Sequence, residues 1–232
     1  MLITKKRINL SNFSVNLNGT ELEECDNYKY LGVYFDKNLN WKKHVDYICE
    51  KVSKSCGILA KLRHCLNLEI MREVYHALIH SYIRYGIIAW GTASKTTLKP
   101  LQTLMNRAIR IMSFAPFGNI NLQPLYEILE LLSIEQTYSL EVAKFAYRDK
   151  NSLFLTKIVT YFEFTRRDIV RVTRQSASST LQFSSNSSFG MKSIRKVMSR
   201  AWEEIPEEIK KSNWLKSFKR MYKSHLILIG WN

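Results

Sequence analysis

The spacing of apolar side chains changes character at about residue 37. Before it the pattern alternates, with FSVNL (13–17) and TELEE (20–24) flanking Asn18-Gly19. Asn-Gly between two extended runs is a hairpin signal, because both positions of a two-residue loop need positive φ. YKYLGVYF (28–35), rich in aromatic and β-branched residues, reads as a third strand, with Gly32 marking a bulge or a close backbone approach. From Trp41 the period becomes helical. Trp41, Val45, Ile48, Val52, Cys56, Leu59 and Leu62 fall three or four apart, the stripe of an amphipathic helix. Asn38 or Asn40 can cap its start. Met71, Val74, Tyr75, Leu78, Tyr82 and Ile83 predict a second helix over roughly 68–89, apolar over a wide arc and therefore central. A third spans roughly 96–113, with Leu98, Leu101, Leu104, Met105, Ala108, Ile109 and Met112 inward and Arg107 and Arg110 toward the other side. Residues 122–165 read as two or three more helices, and Ser133 and Gln136 have capping-box spacing, followed by Leu140, Ala143, Ala146 and Tyr147 at helical intervals. The uncharged stretch 176–188 contains seven Ser and reads as a flexible linker. Two tail helices, about 191–204 and 212–228, are separated at Pro206. The expected fold is mainly α: a small N-terminal antiparallel β-hairpin or sheet, then a helical bundle and C-terminal helices.

Composition narrows the function classes. Apolar residues make up 46% of the 232 and charged residues 24%, the balance of a globular chain. Only 8 Gly and 4 Pro argue against a turn-rich all-β protein. The net charge of +15 points to a polyanion partner. It is evenly spread: residues 1–116 carry 17 basic and 9 acidic side chains, and residues 117–232 carry 18 and 11. The field must come from faces of folded elements. A local concentration is TRRDIVRVTR (165–174), with four Arg. YGIIAW (85–90) and LILIG (226–230) are far shorter than the roughly 20 residues that span a bilayer, and MLITKKR has no apolar core of a secretory signal. The expectation is an intracellular protein, nuclear or cytoplasmic, without a membrane partner.

Catalytic chemistry is sparse. Cys25, Cys49, Cys56 and Cys65 include no C-x-x-C pair and read as buried thiols. The sequons at Asn12, Asn18 and Asn186 carry no meaning without secretion. Only five Asp occur, none paired on one strand. His76 and His80 are four apart on one helix but lack the intervening Glu and third ligand of a metal site. Neither a Gly-rich phosphate loop nor a G-x-S-x-G turn is present. What remains is basic and aromatic side chains on helices beside a small sheet, a surface that can hold a nucleic-acid backbone and stack on rings. The alternative for Tyr28, Tyr30, Tyr34, Phe35 and Trp41 is plain core packing.

Several runs are specific. Lys29, Tyr30, Leu31, Gly32, Val33, Asp36, Leu39, Trp41, His44, Gly57 and Leu59 stand in the order of a stretch of non-LTR (LINE-type, jockey-like) retrotransposon reverse transcriptases, which this region resembles. VYHALIHSYIRYGIIAWG (74–91) is similar to that family's helix ending in Y-G-x-x-x-W-G, and LKPLQTLMNRAIRIM (98–112) to its L-x-x-L-Q-N-R-A-x-R-x-I, with Met105 where the family usually has Gln. In the tail (190–227) Trp202 and Pro206 match, while Glu203 and Ile205 replace the usual Asn and Leu.

The resemblance implies that residues 1–37 are residual palm and primer-grip strands, 38–116 a thumb-like bundle, 117–175 a helical extension, 176–190 a linker and 191–232 C-terminal helices. It also implies that the fingers and the catalytic Asp motifs lie upstream, so that this chain alone is no enzyme. Mg2+ is expected only for the intact polymerase, and Asp36 is expected to cap a turn or helix. The implied partners are RNA, an RNA–DNA hybrid and the palm and fingers of the polymerase. Tyr30, Leu31 and Gly32 would form the grip, and Lys29, Lys42, Lys43, Lys51, Lys54, Lys61, Arg107 and Arg110 are candidate phosphate contacts. The competing reading is a catalytically dead helical interaction module or a remnant.

Overall fold

The computed structural model describes residues 15–21, 23, 25–116, 118, 120–151 and 193–230. Of the expected palm and primer-grip segment (1–37), residues 1–14 lie outside these residues, as do the helical extension beyond 151 with its four Arg and the Ser-rich linker at 176–190. The described chain is mainly helical with two small antiparallel sheets. One compact unit holds the described residues up to Gly86 together with Ala93–Gly118; the second holds Ile87–Thr92 and the described residues from Ile120 on.

The first unit begins with β1 (Asn16–Leu17) and β2 (Thr20–Glu21), joined through Asn18 and Gly19 at φ 50° and 81°. This is the left-handed pair the Asn-Gly signal demands. The run 28–35 is not one strand. It is a second hairpin, β3 (Asn27–Tyr30) and β4 (Val33–Asp36), turning at Leu31 and Gly32 with φ 45° and 80°. Gly32 therefore serves a turn, and it also allows a close approach: an added Cβ would lie 3.3 Å from Cε1 of Tyr85. The Tyr85 hydroxyl donates to the Leu31 carbonyl at 2.7 Å, pinning the turn to a residue 54 positions away.

Helix α1 (Lys42–Leu62) buries Val45, Ile48, Val52, Cys56 and Leu59 as its stripe requires, while Leu62 is half-buried. The second predicted helix is interrupted. It comprises α2 (Leu68–Tyr75), a π turn (His76–His80) and α3 (Ser81–Arg84), and ends at Tyr85 and Gly86, the latter at φ 62°. Within the π turn the Leu78 carbonyl accepts from the Ser55 hydroxyl of α1 at 3.0 Å. Apolar periodicity sees neither the widened turn nor the left-handed glycine. Met71, Tyr75, Ile79 and Ile83 are buried, whereas Tyr82 is exposed. Helix α5 (Lys95–Ser113) lies against α1, burying Leu101, Met105, Ala108, Ile109 and Met112. In sequence between α3 and α5, α4 (Ile87–Trp90) belongs to the second unit, where it meets the helix Ile134–Lys150.

The second unit adds α6 (Gln123–Ile128), α7 (Ile134–Lys150), α8 (Ile194–Glu204), α9 (Glu207–Lys210) and α10 (Leu215–Ile229). The tail thus holds an extra helical turn after Pro206. The capping box at Ser133 and Gln136 is present in both directions. Gln136 does more: its Nε2 donates to the carbonyls of Leu226 (2.7 Å) and Gly230 (3.2 Å), tying the start of α7 to the end of α10. Tyr147, Phe218 and Tyr222 centre the core, with Tyr147 and Phe218 ring centroids 4.6 Å apart.

Candidate nucleic-acid interface

The first unit brings part of the expected basic and aromatic set together. The pleat of the second hairpin places Lys29 opposite Tyr34 on one face and Tyr28 opposite Phe35 on the other. On the Lys29 face, β4 meets α1. The Tyr34 and Tyr47 rings lie 5.2 Å apart. The Lys29 ammonium sits 4.9 Å from the centroid of Tyr47 and 5.2 Å from that of Tyr34, and the Lys51 ammonium sits 5.4 Å from Tyr47. Two cations thus share one aromatic ring. Position 47 falls between the apolar stripe and the solvent face of α1, so Tyr47 carries no periodicity signal of its own.

His44 anchors this corner. It is 2% exposed, and its Nδ1 accepts from the backbone N–H of Tyr34 at 3.4 Å. Burial lowers its pKa to about 4, so the ring is neutral at pH 7. Asp36 closes the loop between hairpin and helix. Its Oδ1 accepts from the amides of Asn38 (3.1 Å) and Asn40 (3.0 Å), and its Oδ2 from that of Trp41 (2.8 Å). Trp41 at φ 65° is the residue preceding the helix, and the Asn40 side chain accepts from the Lys42 amide at 2.9 Å. Asp36 therefore caps the loop, as expected. With its oxygens occupied by three amides it does not suit a metal. Among the described residues no three His, Cys, Asp or Glu side chains converge as a metal site.

The other site residues are placed as follows. Lys43, Lys54 and Lys61 are exposed and lie 11 and 7 positions apart, near one meridian of α1 and about 16 and 10 Å apart along its axis. Lys54 is bonded to Glu50 at 2.7 Å. Lys42 is exposed but turned away from that meridian by the helical period. On α5, Arg107 is exposed, and Arg110 donates to the Gly118 carbonyl at 3.0 Å.

Tyr30, Leu31 and Gly32 form the hairpin tip, where Leu31 is 71% exposed although a side chain at φ 45° is strained. Core packing holds for Trp41 and partly for Tyr34 and Phe35, but Tyr28 and Tyr30 are 56% and 58% exposed. On that face only the β3 side is open: their cross-strand partners Phe35 and Val33 are half-buried and buried. The thiols also depart from expectation. Cys56 is buried, Cys25 and Cys49 half-buried, and Cys65 exposed; all four are free. At the C-terminal end of α1 the Arg63 guanidinium stacks 3.9 Å over the Phe114 ring, a further basic–aromatic contact that sequence spacing does not show.

Part of the chain is similar to RNA-directed DNA polymerases of mobile elements. The chain is 27% identical over 137 residues to the probable RNA-directed DNA polymerase from transposon BS of Drosophila melanogaster, covering 58% of this chain and 15% of that polymerase. It is 29% identical over 107 residues to the RNA-directed DNA polymerase from mobile element jockey of Drosophila funebris, covering 44% of this chain and 12% of the relative. The probable RNA-directed DNA polymerase from transposon X-element of Drosophila melanogaster is 32% identical over 89 residues, with 37% and 10% covered. This chain resembles the jockey-like reverse transcriptases. The matches span about a seventh or less of those polymerases. No family model matches the chain, and no solved structure matches it. Among the described residues no helix is long and apolar enough to cross a membrane.

Proposed function

We propose that this chain is a nucleic-acid-holding part of a mobile-element RNA-directed DNA polymerase, gripping RNA or an RNA–DNA duplex through its backbone without reading sequence. The observation that carries the reading is the Tyr47 ring shared by the Lys29 and Lys51 ammonium groups, next to Tyr34, on a chain whose relatives are such polymerases. Phosphates would settle between the two cations, and Lys43, Lys54 and Lys61 would follow the strand along α1. The proposal makes the catalytic aspartates and their Mg2+ a property of the intact polymerase. This chain then performs no chemistry alone. Fluorescence anisotropy of a labelled RNA–DNA hybrid tests it. Lys29→Glu with Lys51→Glu is expected to weaken binding at least tenfold at 50 mM salt; unchanged affinity overturns the assignment.

The exposed face of the hairpin favours an additional contact. Tyr28, Tyr30 and the strained Leu31 project from the first unit. In this proposal they meet the palm and fingers of the same polymerase. Tyr28→Asp would then weaken association with that half while leaving hybrid binding unaltered; equal association refutes the contact.

A further inference from the structure

The proposed interface lies in the first unit and leaves the charge of the second unused. Helix α10 carries Lys216, Lys219, Arg220 and Lys223, the i, i+3, i+4, i+7 spacing of one helix face, and no acidic residue anywhere along it. Its other side is committed to the core: Phe218 and Tyr222 are buried, with Leu215 and Leu226 packed beside them. Lys216, Lys219 and Arg220 are exposed, and no described carboxylate lies within ion-pair range of them. Lys223 approaches Glu130 at 4.0 Å. Directly before the first turn stands Trp214, an indole-bearing residue 76% exposed to water. Large aromatics are seldom left so open beside a row of cations.

We infer that the α10 face, Trp214 with Lys216, Lys219 and Arg220, is a binding surface for single-stranded nucleic acid. The pairing of an open ring with a cationic track is the chemistry of single-strand binding. A base stacks on the indole, and the following phosphates lie along the lysines and the arginine. A duplex offers no free base face, so this surface selects single strands by stacking, whereas the first unit is assigned a grip on the backbone alone; the inference does not rest on that assignment. An anionic membrane fits poorly. A helix that lies in a bilayer surface inserts its apolar side, and here the Phe218 and Tyr222 stripe is buried with Tyr147, Ile205 and Ile209, which leaves Met221, Leu228 and Ile229 as the exposed apolar side chains of the helix.

The test uses the full chain and a labelled 20-nucleotide oligo-U RNA, with affinity read by anisotropy between 50 and 200 mM salt. Trp214→Ala is expected to weaken binding about tenfold, and Trp214→Phe, which keeps a stacking ring, less than threefold. The triple variant Lys216→Glu, Lys219→Glu, Arg220→Glu is expected to flatten the log–log salt slope by about two, as three single-strand phosphate contacts require. All four side chains are exposed, and an unchanged circular dichroism melt establishes that the variants are folded. Oligo-U affinity unaffected by every variant overturns the inference. So does an equal loss for Trp214→Ala and Trp214→Phe, since stacking then plays no part. Sedimentation with phosphatidylserine vesicles that is lost in the triple variant, with oligo-U binding retained, assigns the face to lipid and overturns it as well. The Lys29→Glu, Lys51→Glu variant serves as the cross-control: loss of hybrid binding with oligo-U binding intact shows two independent surfaces.

Discussion

Asp36 offers a quantitative test of how the hairpin and the first helix are joined. Its carboxylate receives three backbone amides, from Asn38, Asn40 and Trp41, at 3.1, 3.0 and 2.8 Å, and is only 7% exposed. A hydrogen bond to a charged group contributes about 1.5–3 kcal/mol, and buried donors left without an acceptor cost about as much again. Asp36→Asn keeps one carbonyl oxygen for the two longer bonds but sets an NH2 group against the Trp41 amide, the shortest of the three. The expected loss is ~2 kcal/mol. Asp36→Ala orphans all three donors and is expected to lose ~4 kcal/mol, less than a simple sum because the loop relaxes. Urea denaturation followed by circular dichroism measures both, with the Asp36→Asn midpoint falling by about 1 M. Hydrogen exchange at Asn38, Asn40 and Trp41 should accelerate in the same variants. An Asp36→Asn protein with an unaltered midpoint and unaltered exchange refutes the capping role. A midpoint raised by millimolar Mg2+ in the wild type but not in the variant would assign the carboxylate to a metal instead.

Three further predictions follow from the same geometry. His44 is held neutral by burial, with its pKa lowered to about 4 from the ordinary 6.5, so the unfolded chain binds the extra proton between these values and stability falls as pH falls through that window, by at most ~3 kcal/mol. Thermal melts from pH 7 to pH 4 measure this, and His44→Asn, which keeps an acceptor for the Tyr34 amide, should remove most of the dependence. Gln136→Ala loses the reciprocal cap of α7 and leaves the Leu226 and Gly230 carbonyls without their donor, an expected ~2 kcal/mol read from urea melts of the second unit. Gly32→Ala places a Cβ at φ 80° and 3.3 Å from Tyr85, and should loosen the hairpin by ~1–2 kcal/mol, seen as faster amide exchange in β3 and β4.

The features legible in sequence are those with a local cause. Asn18-Gly19 determines its own backbone, the α1 stripe repeats every three to four residues, and Ser133 with Gln136 caps within one turn. The features without a sequence signal depend on distant partners. Leu31-Gly32 becomes a turn rather than mid-strand because Tyr85, far along the chain, accepts its geometry. The second helix widens into a π turn at His76–His80, where Ser55 reaches the Leu78 carbonyl, and stops at a left-handed Gly86. Both features interrupt an apolar pattern that continues unbroken. Among the site residues, Lys29 and Lys51 lie 22 positions apart in sequence and meet only because the hairpin folds onto α1 over Tyr47. Neither Tyr47 nor Arg63 over Phe114 carries a sequence signal of its own, since each depends on what the ring faces after folding.

The central claim, a first unit that grips nucleic acid through phosphate charge, is tested most directly by the salt dependence of RNA–DNA hybrid binding. Affinity measured by anisotropy between 50 and 200 mM salt should fall linearly on a log–log plot, and Lys43→Glu, Lys54→Glu, Lys61→Glu should flatten the slope by about 2 to 3, as loss of three phosphate contacts requires. Absence of hybrid binding at 50 mM salt, or affinity that is indifferent to salt and to these substitutions, contradicts the account.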